Sequence, residues 1–135
     1  MEKNNTHLAG EFFVAAELFK RDIQVALMLG NSKDVDLIIR KANNEKCSVQ
    51  VKALKSKNCF DLQIDKVIQD FFYVFVFING KNESPDYFIL TGKELIDGKE
   101  SFYGASLGRE DKRETINYGP LQAHKGRWDK IESVL

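Results

Sequence analysis

Cysteine is scarce in this chain, with only Cys47 and Cys59 among 135 residues. The pair does not form a CxxC motif, and neither His7 nor His124 is spaced from a cysteine as zinc ligands are. That excludes a cysteine-based structural zinc. Cys47, inside a strand pattern, is expected to be a small buried hydrophobe in a reducing cytoplasm. An excess of either charge is also missing, since 20 basic residues face 20 acidic ones. A global basic field of the kind that coats nucleic acid is therefore excluded, and any contact with nucleic acid requires a local patch. Long apolar runs are absent too. The longest, FFYVFVFI from Phe71 to Ile78, is far short of the roughly 20 residues a membrane helix needs. With no apolar segment of signal-peptide type at the N-terminus, the expected location is cytoplasmic and no membrane partner is expected. Internal repeats, low-complexity blocks and linkers are lacking as well.

What is present is ordinary for a globular protein: 43% apolar and 30% charged residues. The length suits one domain over residues 1–135 with a single core. The segment THLAGEFFVAAELFKRD reads as a helix with Thr6 as its N-cap and with Leu8, Phe12, Ala15, Ala16 and Phe19 at helical spacing. Three strands follow, IQVALML, VDLIIRK and KCSVQVKAL, the last two joined by the hairpin-type loop ANNEK. SKNCFDLQIDKVIQD fits either period. FFYVFVFI, apolar on both faces, reads as a central covered strand, and DYFILT as a further one. GKELIDGKESFYG starts as a helix, and LGREDKRETINYG is a polar connection. HKGRWDKIESVL places Trp128, Ile131 and Leu135 on one face of a closing helix. This order is that of an α/β fold, a mixed sheet flanked by helices.

Four side chains are the candidates for chemistry. Glu11 has Leu8, Val14, Ala15 and Leu18 as helical neighbours. Its carboxylate either stands in an apolar stripe, where it needs a partner or a metal, or rims that stripe near the helix start, where the dipole favours an acid. Glu17, beside Lys20 and Arg21, has the surroundings of a solvated acid. Asp36 interrupts a run of strand formers, a place acids avoid. Gln50 and Lys52 share one face of the third strand, about 7 Å apart at strand rise. A wet strand face explains that pair equally well on its own, but hairpin pairing of the second and third strands would bring Gln50 toward Asp36.

The ordered set Glu11, Asp36 and Gln50-Val51-Lys52, behind the helix GEFFVAAELFKRD, resembles the PD-(D/E)XK nuclease superfamily, which includes restriction endonucleases and Holliday-junction resolvases. The Gln-x-Lys form resembles its Mrr-like branch and small related proteins, as do DFFYVFVF, PDYFILTGKEL and a tryptophan in a closing helix. The motifs cover about the first 55 residues. The resemblance implies a restriction endonuclease-like mixed β-sheet flanked by α-helices. It also implies an endonuclease that hydrolyses DNA phosphodiester bonds with Mg2+ or Mn2+, working as a homodimer where two strands are cut. Asp36 would be the main metal-binding carboxylate, and Glu11 would complete the site from the helix. Gln50 would offer its side-chain oxygen in place of the more usual acid, and Val51 a backbone carbonyl. Lys52 would orient the attacking water or neutralise charge on the phosphate. The chain departs from the pattern in lacking a proline before Asp36 and in the neutral Gln50, which lowers the negative charge of the site. The alternative is a catalytically weak or inactive module of this fold that binds nucleic acid or protein.

Beyond the motif, Lys55 and Lys57 in KALKSK read equally as a phosphate-contacting track or as a solvated loop, and Lys33 with Ser32 as a border of the groove. Trp128 is expected to be a packing anchor and not a stacking platform for bases.

Overall fold

The structure is a computed structural model that describes residues 3–28, 36–111 and 113–135. A helix, α1 (Lys3–Lys20), opens the chain. The strands β1 (Val25–Leu27), β2 (Leu37–Arg40) and β3 (Lys46–Leu54) form an antiparallel meander. The chain turns from β2 to β3 through Asn44, whose φ of 71° lies in the left-handed region that asparagine tolerates. A crossover carrying the two-residue strand β4 (Phe60–Asp61) and a 3₁₀ turn at Ile64–Lys66 leads to β5 (Phe72–Phe77). That strand pairs parallel to β3 and antiparallel to β6 (Asp86–Thr91). The result is a five-stranded mixed sheet in the order β1-β2-β3-β5-β6. A separate two-stranded ribbon joins β4 to β7 (Thr115–Ile116). Among the described residues no helix is long and apolar enough to cross a membrane.

Each face of the sheet carries its own core. Val49, Val51, Val74, Val76 and Ile89 pack under Val14, Ala15 and Leu18 of α1 and beside Trp128 and Ile131. Tyr73, Phe75, Phe77, Phe88 and Leu90 pack against Phe60 and Ile116 of the ribbon and against Leu95 and Phe102 of the short helices α2 (Gly92–Asp97) and α3 (Lys99–Tyr103). β5 is buried at all six positions because both faces are covered, as its unbroken apolar run requires.

Three expectations are corrected. Thr6 is no cap: α1 begins three residues earlier and buries Thr6. Phe12 and Phe19 do not belong to the core stripe, for they are 53% and 49% exposed. The stripe that meets the sheet is Thr6, Gly10, Glu11, Val14, Ala15 and Leu18. Small residues there let α1 ride close to β3. At Gly10 an added Cβ would stand 2.5 Å from the Cβ of Ala53, so a phenylalanine has no room on that side. The closing helix spans only Asp129–Glu132, and Leu135 lies beyond it, exposed. Trp128 is buried against Tyr87, ring centroids 5.2 Å apart, with the Arg21 guanidinium 4.9 Å from its ring.

Candidate metal centre

Glu11 reaches the site from the sheet-facing stripe of α1, at the level where β2 begins. Asp36 is the residue just before β2. Its backbone carbonyl accepts from Met28 N–H at 3.0 Å, so the main chain stays tied to the β1 side. Continuing the register of Leu37 with Val49, Asp36 stands across from Gln50. Its side chain turns along β3 and accepts a hydrogen bond from Val51 N–H, 2.8 Å to Oδ2. One turn before Glu11 on the same helix face, His7 places Nε2 2.9 Å from Glu11 Oε1 and 3.6 Å from Asp36 Oδ1. One donor atom from each of His7, Glu11 and Asp36 lies within 4.8 Å of the other two.

The two acids are 3% and 8% exposed, whereas the His7 side chain is 46% exposed and forms the solvent wall. Glu11 Oε2 is buried and has no hydrogen-bond partner among the described residues. Burial, above all, pushes the Glu11 carboxyl up from 4.5 to about 7, helped by its hydrogen bond to the Asp36 carboxyl and by the charge of that group. Two acids this close cannot both ionise cheaply; a shared proton or a bound cation relieves them. An orphaned carboxylate oxygen beside a second acid and an imidazole is a donor set that could hold a metal cation.

Of the residues expected from sequence, Glu11 and Asp36 are brought together and Val51 joins them through its backbone. Along a strand the N–H and C=O of one residue point to the same edge, so the Val51 carbonyl also faces the open end of β2. Gln50 and Lys52 project to the other face of the sheet, in register with Tyr73 and Phe75. Both are half-buried, and neither side chain hydrogen-bonds or pairs with a described residue. Lys52 lines a cavity of about 490 Å³ on that side. Lys55 and Lys57 are exposed beyond β3 and border a different hollow, with Asn79 and Glu83. Lys33 and Ser32 lie outside the described residues. His7 is the member that sequence reasoning missed. The signal was its i,i+4 spacing to Glu11, which places imidazole and carboxylate on one helix face.

No family model, curated protein or solved structure matches the chain.

Proposed function

We propose that this chain is a metal-dependent endonuclease of the PD-(D/E)XK kind, with a restriction endonuclease-like fold, that hydrolyses DNA phosphodiester bonds. The observation that carries the reading is the convergence of Glu11 and Asp36, one with a buried unpartnered oxygen, at the edge of the strand that holds Lys52. The mixed sheet supports it: a helix, an antiparallel meander, then a crossover to a parallel strand.

Asp36, Glu11 and His7 would hold Mg2+ or Mn2+, with the Val51 carbonyl beside them. Such a cation, when bound, lowers the pKa of a water and offsets negative charge on phosphate. The chain's own residues position the rest. Val51 N–H fixes one oxygen of Asp36, so the other stays turned toward His7 and Glu11. The Lys52 ammonium, on the opposite face of the same strand, has no acid partner among the described residues and would meet a phosphate of the bound strand away from the reacting one. In the reaction a water oxygen bonds to phosphorus while a bridging P–O bond breaks, leaving a phosphomonoester and a hydroxyl.

The test is cleavage of supercoiled plasmid and branched DNA with Mg2+ or Mn2+, comparing the natural chain with Asp36→Ala and Lys52→Ala. Loss of about 100-fold or more is expected in Asp36→Ala and a smaller loss in Lys52→Ala. Undiminished cutting in Asp36→Ala, or none by the natural chain, overturns the reading. One observation favours a second reading, a module of this fold that binds without cutting. Gln50 is neutral, and its side chain turns to the face away from α1. Tight DNA binding with no cleavage in either metal would select it.

A further inference from the structure

The cavity beside Lys52 is a different place from the acidic centre. It lies between β3, the 3₁₀ turn after β4 and the residues before β7, and three cations line it: Lys52, Lys66 and Arg113. None of the three makes a direct side-chain ion pair among the described residues, although, after the hydrogen bond from Arg109, the Arg113 main-chain N–H and charge help hold the nearby Asp111 carboxyl below its ordinary value. Other surface cations are ion-paired, Arg109 with Asp111, Arg127 with Asp129, Lys125 with Asp86 and Lys93 with Asp97, whereas Lys55, Lys57, Lys81 and Lys99 also lack a carboxylate partner among the described residues. Two acids also border the cavity, Asp61 and Glu114. Glu114 is buried and committed to the main chain, accepting from Ile64 N–H at 3.1 Å and Gly108 N–H at 2.8 Å. Its charge is absorbed in holding the two loops that carry Lys66 and Arg113 together.

The ribbon extends this basic hollow. Asp61 pairs with Thr115 and Phe60 with Ile116, so Arg113 stands before one end of β7 and Tyr118 follows the other. Tyr118 itself opens a short helix, Tyr118–Leu121. Tyr118 is 42% exposed, and Lys57 Nζ lies 6.0 Å from its ring centroid.

We propose that this cleft and ribbon bind a single-stranded segment of nucleic acid, with Lys52, Lys66 and Arg113 on its phosphates and the Tyr118 ring under an unpaired base. The identity of the ligand as nucleic acid rests on the nuclease reading; the convergence of unpaired cations does not. A base must leave its stack to lie on Tyr118, so a strand end, flap or junction arm is the substrate class, and continuous duplex is not.

The experiment is fluorescence anisotropy with a short dye-labelled single-stranded oligonucleotide in EDTA across a salt series, beside the same sequence as duplex. Proteins are the natural chain, the double variant Lys66→Gln with Arg113→Gln, Tyr118→Ala, and Lys20→Gln as control. All altered side chains are at the surface, and thermal melts confirm folding. Expected are at least tenfold weaker binding in the double variant, with a salt slope shallower by about 1.4 for two lost phosphate contacts. Roughly tenfold weaker binding is expected in Tyr118→Ala, with no change in Lys20→Gln and weaker binding of duplex by every protein. Unchanged affinity in the double variant, or equal affinity for duplex, overturns the proposal. Binding as expected with no cleavage in Mn2+ overturns the nuclease reading and leaves the cleft. Cleavage with binding indifferent to Lys66 and Arg113 does the reverse.

Discussion

Glu11 carries the clearest consequence at the scale of a single residue. Its carboxyl is held at about 7 and that of an unfolded chain near 4.5, so the folded protein keeps a proton that the unfolded chain has lost between those values. The stability this confers is complete below about pH 4.5 and is lost as pH rises through about 7. The metal-free protein is therefore expected to melt at lower temperature near pH 8 than near pH 5, with at most about 3 kcal/mol at stake. Glu11→Gln should flatten that dependence, and Mn2+ should restore the natural chain at the higher pH. A melting profile in Glu11→Gln as steep as in the natural chain would show that another group is responsible. Glu11 was legible in the sequence because its helical neighbours at i−3, i+3, i+4 and i+7 are apolar. His7 was not singled out, because its meaning comes from Asp36, which only the fold brings within 3.6 Å.

At the scale of elements, the approach of α1 to β3 governs the site. Gly10 precedes Glu11, and a methyl group there would collide with Ala53, whose short side chain cannot swing aside. Gly10→Ala is expected to cost about 1–3 kcal/mol and to weaken Mn2+ binding by displacing Glu11. Adding Ala53→Gly should recover both, measured by thermal melts and calorimetry; a double variant as impaired as the single one would refute the packing argument. The longer elements were legible from periodicity. KCSVQVKAL coincides with β3, and the doubly covered FFYVFVFI contains β5. The stripe of α1 was misjudged because Phe12 and Phe19 are apolar and correctly spaced, yet too large for a helix that rides so close to its sheet. β4 and β7 escaped notice because two-residue strands leave no alternation to read, and their pairing spans a stretch that contains β5, β6, α2 and α3.

For the whole molecule, a net charge of zero leaves no long-range field to draw in a polyanion. What the fold supplies is separation. An acidic centre sits between α1 and the start of β2, and unpaired cations gather across the sheet from α1. The strand β3 belongs to both, offering Val51 to one and Lys52 to the other. Binding of nucleic acid and binding of metal are thus expected to be separable. Asp36→Asn should leave oligonucleotide affinity in EDTA within about twofold, because the proposed phosphate contacts lie elsewhere. A tenfold loss would place the strand over the acidic centre instead. The central claim is that α1 and the residue just before β2 together build a site for a divalent cation. Calorimetric titration of the chain with Mn2+ at neutral pH tests it most directly. One ion bound by the natural chain, with binding abolished in both Asp36→Asn and Glu11→Gln, is the predicted result. No binding, or binding that survives both substitutions, would contradict it.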